Sequence, residues 1–128
     1  MRDGRVNGQI LVVDDEEKIR ETYRHLLLSE SFEVLEAKNG EWVRLQLLQH
    51  NNIDLILLDI RMPVVNGQPL FDLIKVYSPN VKIIVMSAYS LEDQKEIIKE
   101  ADDYFNKLEG VDELLSKIKS VLTKEAVA

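Results

Sequence analysis

Three short apolar runs constrain this chain more than any other feature: Ile10-Leu-Val-Val13, Leu55-Ile-Leu-Leu58 and Ile83-Ile-Val-Met86. Each is unbroken by polar residues, and each stops at a polar group, at Asp14-Asp15, Asp59 and Ser87 respectively. A short continuous apolar run predicts a strand buried on both faces, the pattern of a parallel sheet covered by helices. Weaker strands are expected at Phe32–Ala37 and Asp103–Asn106. Helical spacing fills the gaps. From Glu16 to Glu30 the stripe is Ile19, Tyr23, Leu26 and Glu30, with Leu27 beside it. Further helices are expected over Gly40–His50, Gln68–Tyr77, Leu91–Glu100 and Asp112–Thr123, the last with Leu114, Leu115, Ile118, Val121 and Leu122 inward. Ser90 with Asp93 resembles a capping box at the start of the fourth. Asn7-Gly8-Gln9 is expected to form a turn before the first strand. Strand and helix thus alternate five times, which predicts an α/β fold with helices on both faces of a parallel sheet, in one of a few doubly wound topologies.

The 128 residues suit one domain over 1–128. A net charge of −7 argues against direct nucleic-acid binding, because phosphate backbones need basic patches. No apolar run approaches the roughly 20 residues that cross a bilayer, so no membrane role is expected. Met1 to Gln9 lack the apolar centre of a signal peptide, and a cytoplasmic location is the expectation. The absence of cysteine removes disulfides, thiolate nucleophiles and thiolate metal sites.

Ligands of open α/β sheets sit beyond the carboxyl ends of the strands. Asp14, Asp15, Asp59, Ser87 and Lys107 all fall at or just past predicted strand ends. Three crowded carboxylates repel one another unless a cation is present, and hard oxygen ligands with room for water suit Mg²⁺. Each residue taken singly has a plainer reading. An aspartate after a strand is commonly a helix N-cap, Ser87 a turn residue, Lys107 a solvated lysine and Tyr104 a packed aromatic. The joint pattern points to a site. His25 and His50 have no partner at ligand spacing, and both are expected to be solvated. Trp42 fits either a partner surface or cover for the helix–sheet edge.

These residues resemble, over almost the whole chain, the receiver domain of two-component response regulators. The resemblance is carried by Asp14-Asp15, the segment Asp59-Ile-Arg-Met-Pro-Val-Val-Asn-Gly67, the Ser87-Ala88 step, and Tyr104 three residues before Lys107. It implies a flavodoxin-like five-stranded sheet in the order 2-1-3-4-5 flanked by five helices. Asp59 would be the phosphoacceptor. Mg²⁺ would be held by Asp15, Asp59, the Arg61 backbone carbonyl and, through water, Asp14. Lys107 and Ser87 would contact the phosphoryl group, and Tyr104 would turn inward as Ser87 shifts. Met62-Pro63 and Asn66-Gly67 would shape the loop after Asp59. The implied partners are a sensor histidine kinase or histidine phosphotransfer protein, and an output domain or protein. A phosphorylation-linked dimer would use the face of the fourth helix, fifth strand and fifth helix. Such a chain is a switch with limited self-catalysed phosphorylation and dephosphorylation, not a metabolic enzyme.

Three other readings compete with this one. An aspartyl-phosphate phosphohydrolase carries a second aspartate two residues after its nucleophile, where Arg61 stands here. A receiver-like module that never takes phosphate would be free to lose the acidic set. A nucleotide- or flavin-binding domain lacks its glycine-rich loop. Two departures from the resemblance carry expectations of their own. Leu108 follows Lys107 where the family has proline, so the peptide bond is expected to be trans, since a cis bond before a residue other than proline costs about 3–4 kcal/mol. Glu100 stands where the family often has glycine, so the fourth helix and fifth strand are expected to be less rigid.

Overall fold

The computed structural model describes residues 7–60 and 67–127. Five strands alternate with five helices: β1 (Gly8–Val13), α1 (Glu17–Ser29), β2 (Phe32–Ala37), α2 (Gly40–Gln49), β3 (Leu55–Asp59), α3 (Gly67–Tyr77), β4 (Lys82–Ser87), α4 (Leu91–Ile97), β5 (Asp103–Asn106) and α5 (Val111–Val127). All strand pairs are parallel, in the order β2-β1-β3-β4-β5. The expected fold class and strand order are therefore those observed.

The two-residue period of the strands divides the core between the faces of the sheet. Leu11, Val13, Ile56, Leu58, Ile83 and Val85 pack on one side with Val43, Leu47, Phe71, Ile74 and Ile98. Ile10, Val12, Leu55, Leu57, Ile84 and Met86 pack on the other with Tyr23, Leu27, Leu114, Ile118 and Val121. Helices α2 and α3 thus cover one face, and α1 and α5 the other. Alternate residues of each central strand enter different cores, which is why these strands are apolar at every position. The edge strand β2 pairs only with β1 and is partly exposed along its middle, hence its weaker signal.

Several boundaries differ from the sequence expectation. Gly8 and Gln9 belong to β1, where they pair with Phe32 and Glu33 instead of forming a turn. The buried face of α1 is rotated from the expected stripe: Arg20, Tyr23 and Leu27 point inward, while Ile19 and Leu26 are only half-buried. Helix α4 stops at Ile97, three residues before the expected end. Ile98 leaves the helix in an extended conformation and is fully buried, so burial of that side chain decides where the helix ends. Ser31 is the only non-glycine residue with positive φ among the described residues, so Glu100 adopts no left-handed conformation. Ser90 caps α4 as expected, its Oγ accepting the Asp93 N–H at 3.1 Å. Asn39 caps α2 in the same way through the Trp42 N–H at 2.9 Å.

Helix α1 ends in a turn in which the Ser31 N–H donates to the Leu28 carbonyl at 3.0 Å and Ser31 takes a φ of 68°. Phe32 and Leu27 then pack in one core cluster, the apolar contact that accompanies such C-terminal turns. A left-handed residue with a Cβ costs about 1–2 kcal/mol, and glycine returns about 0.5–1 kcal/mol of that as lost chain entropy. Ser31→Gly is accordingly expected to stabilise the fold by about 0.5–1 kcal/mol in urea denaturation. A loss of stability would contradict the strain at this turn.

Candidate functional site

Register assembles the site. Val13 pairs with Leu58, so Asp14 and Asp59 follow equivalent positions on adjacent parallel strands and stand side by side. On the far side of β3, Asp59 pairs with Met86 and Ser87 with Asn106, which brings the start of the β5–α5 loop to the same edge. The Lys107 N–H donates to the Ser87 carbonyl at 2.8 Å and so fixes the lysine at the end of β4. Glu16, Asp59, Ser87, Tyr89 and Lys107 line an open cleft of about 360 Å³. A larger hollow of about 480 Å³ lies at the opposite end of the sheet, between His50–Asp54 and Tyr77–Val81, away from the acidic residues.

One carboxylate oxygen from each of Asp14, Asp15 and Asp59 lies within 4.8 Å of the others. Lys107 Nζ sits between two of them, 3.0 Å from Asp14 Oδ2 and 3.0 Å from Asp59 Oδ1. Asp14 is buried and Asp15 exposed. Burial works against the charge on Lys107, but the Asp59 and Asp14 carboxylates outweigh it and hold the ammonium above the ordinary lysine range. Asp14 Oδ1 accepts the Glu16 N–H at 2.9 Å, which sets the bend that leaves Asp15 facing solvent. Magnesium bonds of about 2.0–2.1 Å put neighbouring ligands on one ion about 3–4 Å apart, so small side-chain rotations would bring these oxygens onto a shared cation. An all-oxygen donor set with one exposed member also leaves room for the waters that Mg²⁺ retains. The chemistry of the residues therefore fits the ion. Arg61, Met62, Pro63 and Asn66 lie outside the described residues, and Gly67 begins α3.

Ser87 is buried, and its Oγ accepts the Tyr89 N–H at 3.1 Å, which leaves its hydrogen for another acceptor. Tyr104 lies inside the fold, only 7% exposed. Its hydroxyl donates to the Ile98 carbonyl at 2.6 Å and accepts the Ala101 N–H at 3.3 Å. The ring is thus tied to the exit of α4 and not to the Ser87 loop, and burial raises the phenol above its ordinary range. The peptide bonds of the described residues are all trans, including Lys107–Leu108. Asn106 Oδ1 accepts the Leu108 N–H at 2.7 Å, and Leu108 projects into solvent.

Two residues of this region gave no signal in the sequence reading. Arg20, 8% exposed, donates to the Asp14 carbonyl at 2.8 Å and to Glu36 Oε1 at 3.1 Å, while Arg24 pairs with the other Glu36 oxygen at 3.2 Å. A guanidinium thereby pins the backbone that carries Asp14-Asp15 to the end of β2. The available clue was an acid near the end of an edge strand, opposite basic residues one turn apart on α1. Gln94 is fully buried, with its amide nitrogen among backbone carbonyls. A lone glutamine in a charged helix gave no clue at all.

Residues 10–119 match the response regulator receiver domain, and the chain belongs to that family. It is 31% identical over 119 residues to sporulation initiation phosphotransferase F of Bacillus subtilis, covering 91% of this chain and 95% of that protein. It is 35% identical over 101 residues to the autoinducer 1 sensor kinase/phosphatase LuxN of Vibrio harveyi, covering 77% of this chain but 12% of that much longer protein. Among solved structures, the response regulator TrrA of Thermotoga maritima, in complex with Mg²⁺ and BeF, is 37% identical, with a TM-score of 0.77 and 89% and 98% of the two chains covered. Another T. maritima response regulator is 27% identical, with a TM-score of 0.81 and 92% and 99% covered. The fold, the acidic edge and the family thus agree.

Arg20→Met removes a buried donor and leaves the Asp14 carbonyl and Glu36 without it. The expected loss is about 1–3 kcal/mol in denaturant unfolding, the usual cost of stranding a buried partner. Unchanged stability would mean that the guanidinium does not anchor this loop.

Proposed function

We propose that Asp59 accepts a phosphoryl group in a Mg²⁺-dependent reaction and that the domain passes this event to a partner or output domain. The observation that carries this reading is the convergence of Asp14, Asp15 and Asp59 within 4.8 Å, with the Lys107 ammonium 3.0 Å from Asp59. A carboxylate at the floor of a cleft, beside a fixed cation, suits nucleophilic attack on phosphorus. An Asp59 oxygen forms the new P–O bond as the P–N bond of a donor phosphohistidine breaks, and the departing imidazole keeps the electron pair and takes up a proton. Lys107 meets the charge on the phosphoryl oxygens, and the Ser87 hydroxyl donates to one of them. Asp15 and Asp59, with Asp14 through water and the Arg61 carbonyl, are the residues that would hold Mg²⁺, which supplies charge neutralisation and alignment when bound.

The donor is a sensor histidine kinase or a histidine phosphotransfer protein, and the site works within one receiver unit in the cytoplasm. No helix among the described residues is long and apolar enough to cross a membrane. The face of α4, β5 and α5 is the surface offered to an output partner or to a second phosphorylated copy. Its role is that of a switch with limited self-catalysed phosphorylation and dephosphorylation. LuxN, a sensor kinase by name, and TrrA, with Mg²⁺ and BeF, are in keeping with this chemistry.

Acetyl phosphate with Mg²⁺ is expected to add one phosphoryl mass to the wild-type chain and none to Asp59→Asn. Equal labelling of that variant would remove Asp59 from the role. Calorimetry is expected to find modest Mg²⁺ affinity that Asp15→Ala abolishes, because the ion is held by only a few carboxylates and keeps several waters. Equal binding by the two proteins would overturn the metal assignment.

A further inference from the structure

The loop from Ser87 to Tyr89 connects the cleft to α4, and its connection runs through one buried side chain. Gln94 is fully buried on α4. Its Nε2 lies 2.9 Å from the Tyr89 carbonyl, 3.0 Å from the Phe105 carbonyl and 3.4 Å from the Ser87 carbonyl. Three carbonyl oxygens around one amide nitrogen fix which way the amide faces, since its oxygen there would meet three like dipoles. The opposite atom, Oε1, is buried without a hydrogen-bond partner. Such a group is costly to bury half-satisfied, so it stays only because the donor side is strongly held. A second amide joins it, as Asn106 Nδ2 donates to the same Tyr89 carbonyl at 3.1 Å.

We infer that Gln94 is the positioning residue that transmits movement of the Ser87–Tyr89 loop to α4 and β5. This rests on the phosphoacceptor reading above. When the Ser87 hydroxyl donates its hydrogen to a phosphoryl oxygen, its Oγ is drawn into the cleft and pulls on the Tyr89 N–H that it accepts. The carbonyls of Ser87 and Tyr89 then move, and the Gln94 amide must either follow them or break with them. Either course shifts α4, because the amide has two hydrogens for three oxygens and the remaining contact is to β5. Tyr104 is badly placed for this part, being bonded at the far end of α4 to Ile98 and Ala101. The two connections are separate: Gln94 at the loop and Tyr104 at the helix exit.

The test uses the full chain with acetyl phosphate and Mg²⁺, reading intact mass and phosphorylation-dependent amide shifts. Gln94→Met keeps the volume and removes the amide. It is expected to gain the same phosphoryl mass as wild type, while the shift changes over residues 91–98 fall by more than half and those of Asp15 and Lys107 persist. Gln94→Asn keeps an amide on a stem too short to reach all three carbonyls, and it serves if Gln94→Met does not fold. A merely structural role would lower stability in both states alike and leave the phosphorylation-dependent difference intact. Wild-type shift changes across 91–98 in the folded variant would therefore overturn the inference alone. Failure of the wild-type chain to gain mass would overturn the phosphoacceptor reading and this inference with it.

Discussion

The carboxyl edge of this sheet depends on one cation. Asp14 and Asp59 both have nearly buried side chains, and their oxygens stand within 4.8 Å of each other. At that distance and an effective dielectric near 20, two like charges repel by about 3–4 kcal/mol. The Lys107 ammonium, 3.0 Å from each, offsets that repulsion. The lysine comes from the end of an edge strand, so the site is closed by a residue far from the acids in sequence. Displacement of β5 would loosen the acids, and a change of charge at the acids would pull on β5. Chemistry and conformation share this contact.

The protein holds its acids by backbone anchoring rather than by further charge. Arg20 fixes the Asp14 carbonyl, Glu16 N–H fixes Asp14 Oδ1, and Lys107 N–H fixes its own strand to the Ser87 carbonyl. Lys117 adds a contact from α5 to the Tyr104 carbonyl and lies 3.7 Å from Glu109, whose Oε1 accepts the Asn106 N–H at 2.9 Å. Each of these hydrogen bonds has main chain on at least one side.

Much of this was legible in the sequence because the central strands are buried on both faces and must be apolar throughout. Runs ending in Asp14, Asp59 and Ser87 then put those residues at one edge of the sheet by topology alone. The edge strands and helix ends were less legible, since half-exposed positions are chosen by neighbours that the sequence does not display. Ile98 ends α4 through burial on the sheet, which no local capping signal announces. Gln94 was missed because its partners are backbone carbonyls, and main chain leaves no trace in composition; Arg20 joins a backbone carbonyl and the Glu36 carboxylate, of which only the second has a counterpart in the sequence. Tyr104 stands on β5 beside β4, yet its hydroxyl partners lie at the exit of α4, away from Ser87.

Helix α4 has seven residues, about two turns. Isolated helices shorter than about 12–15 residues are marginal in water, so α4 persists through its docking and not through its own cooperativity. Its backbone hydrogen bonds are few, with Ser90 holding one end and burial of Ile98 the other. Local opening of such a segment requires less free energy than unfolding of the whole domain. The amides of α4 would then exchange with solvent through fluctuations that leave the central sheet protected. A small change in the docking of this segment can therefore be read out as a change in helix population.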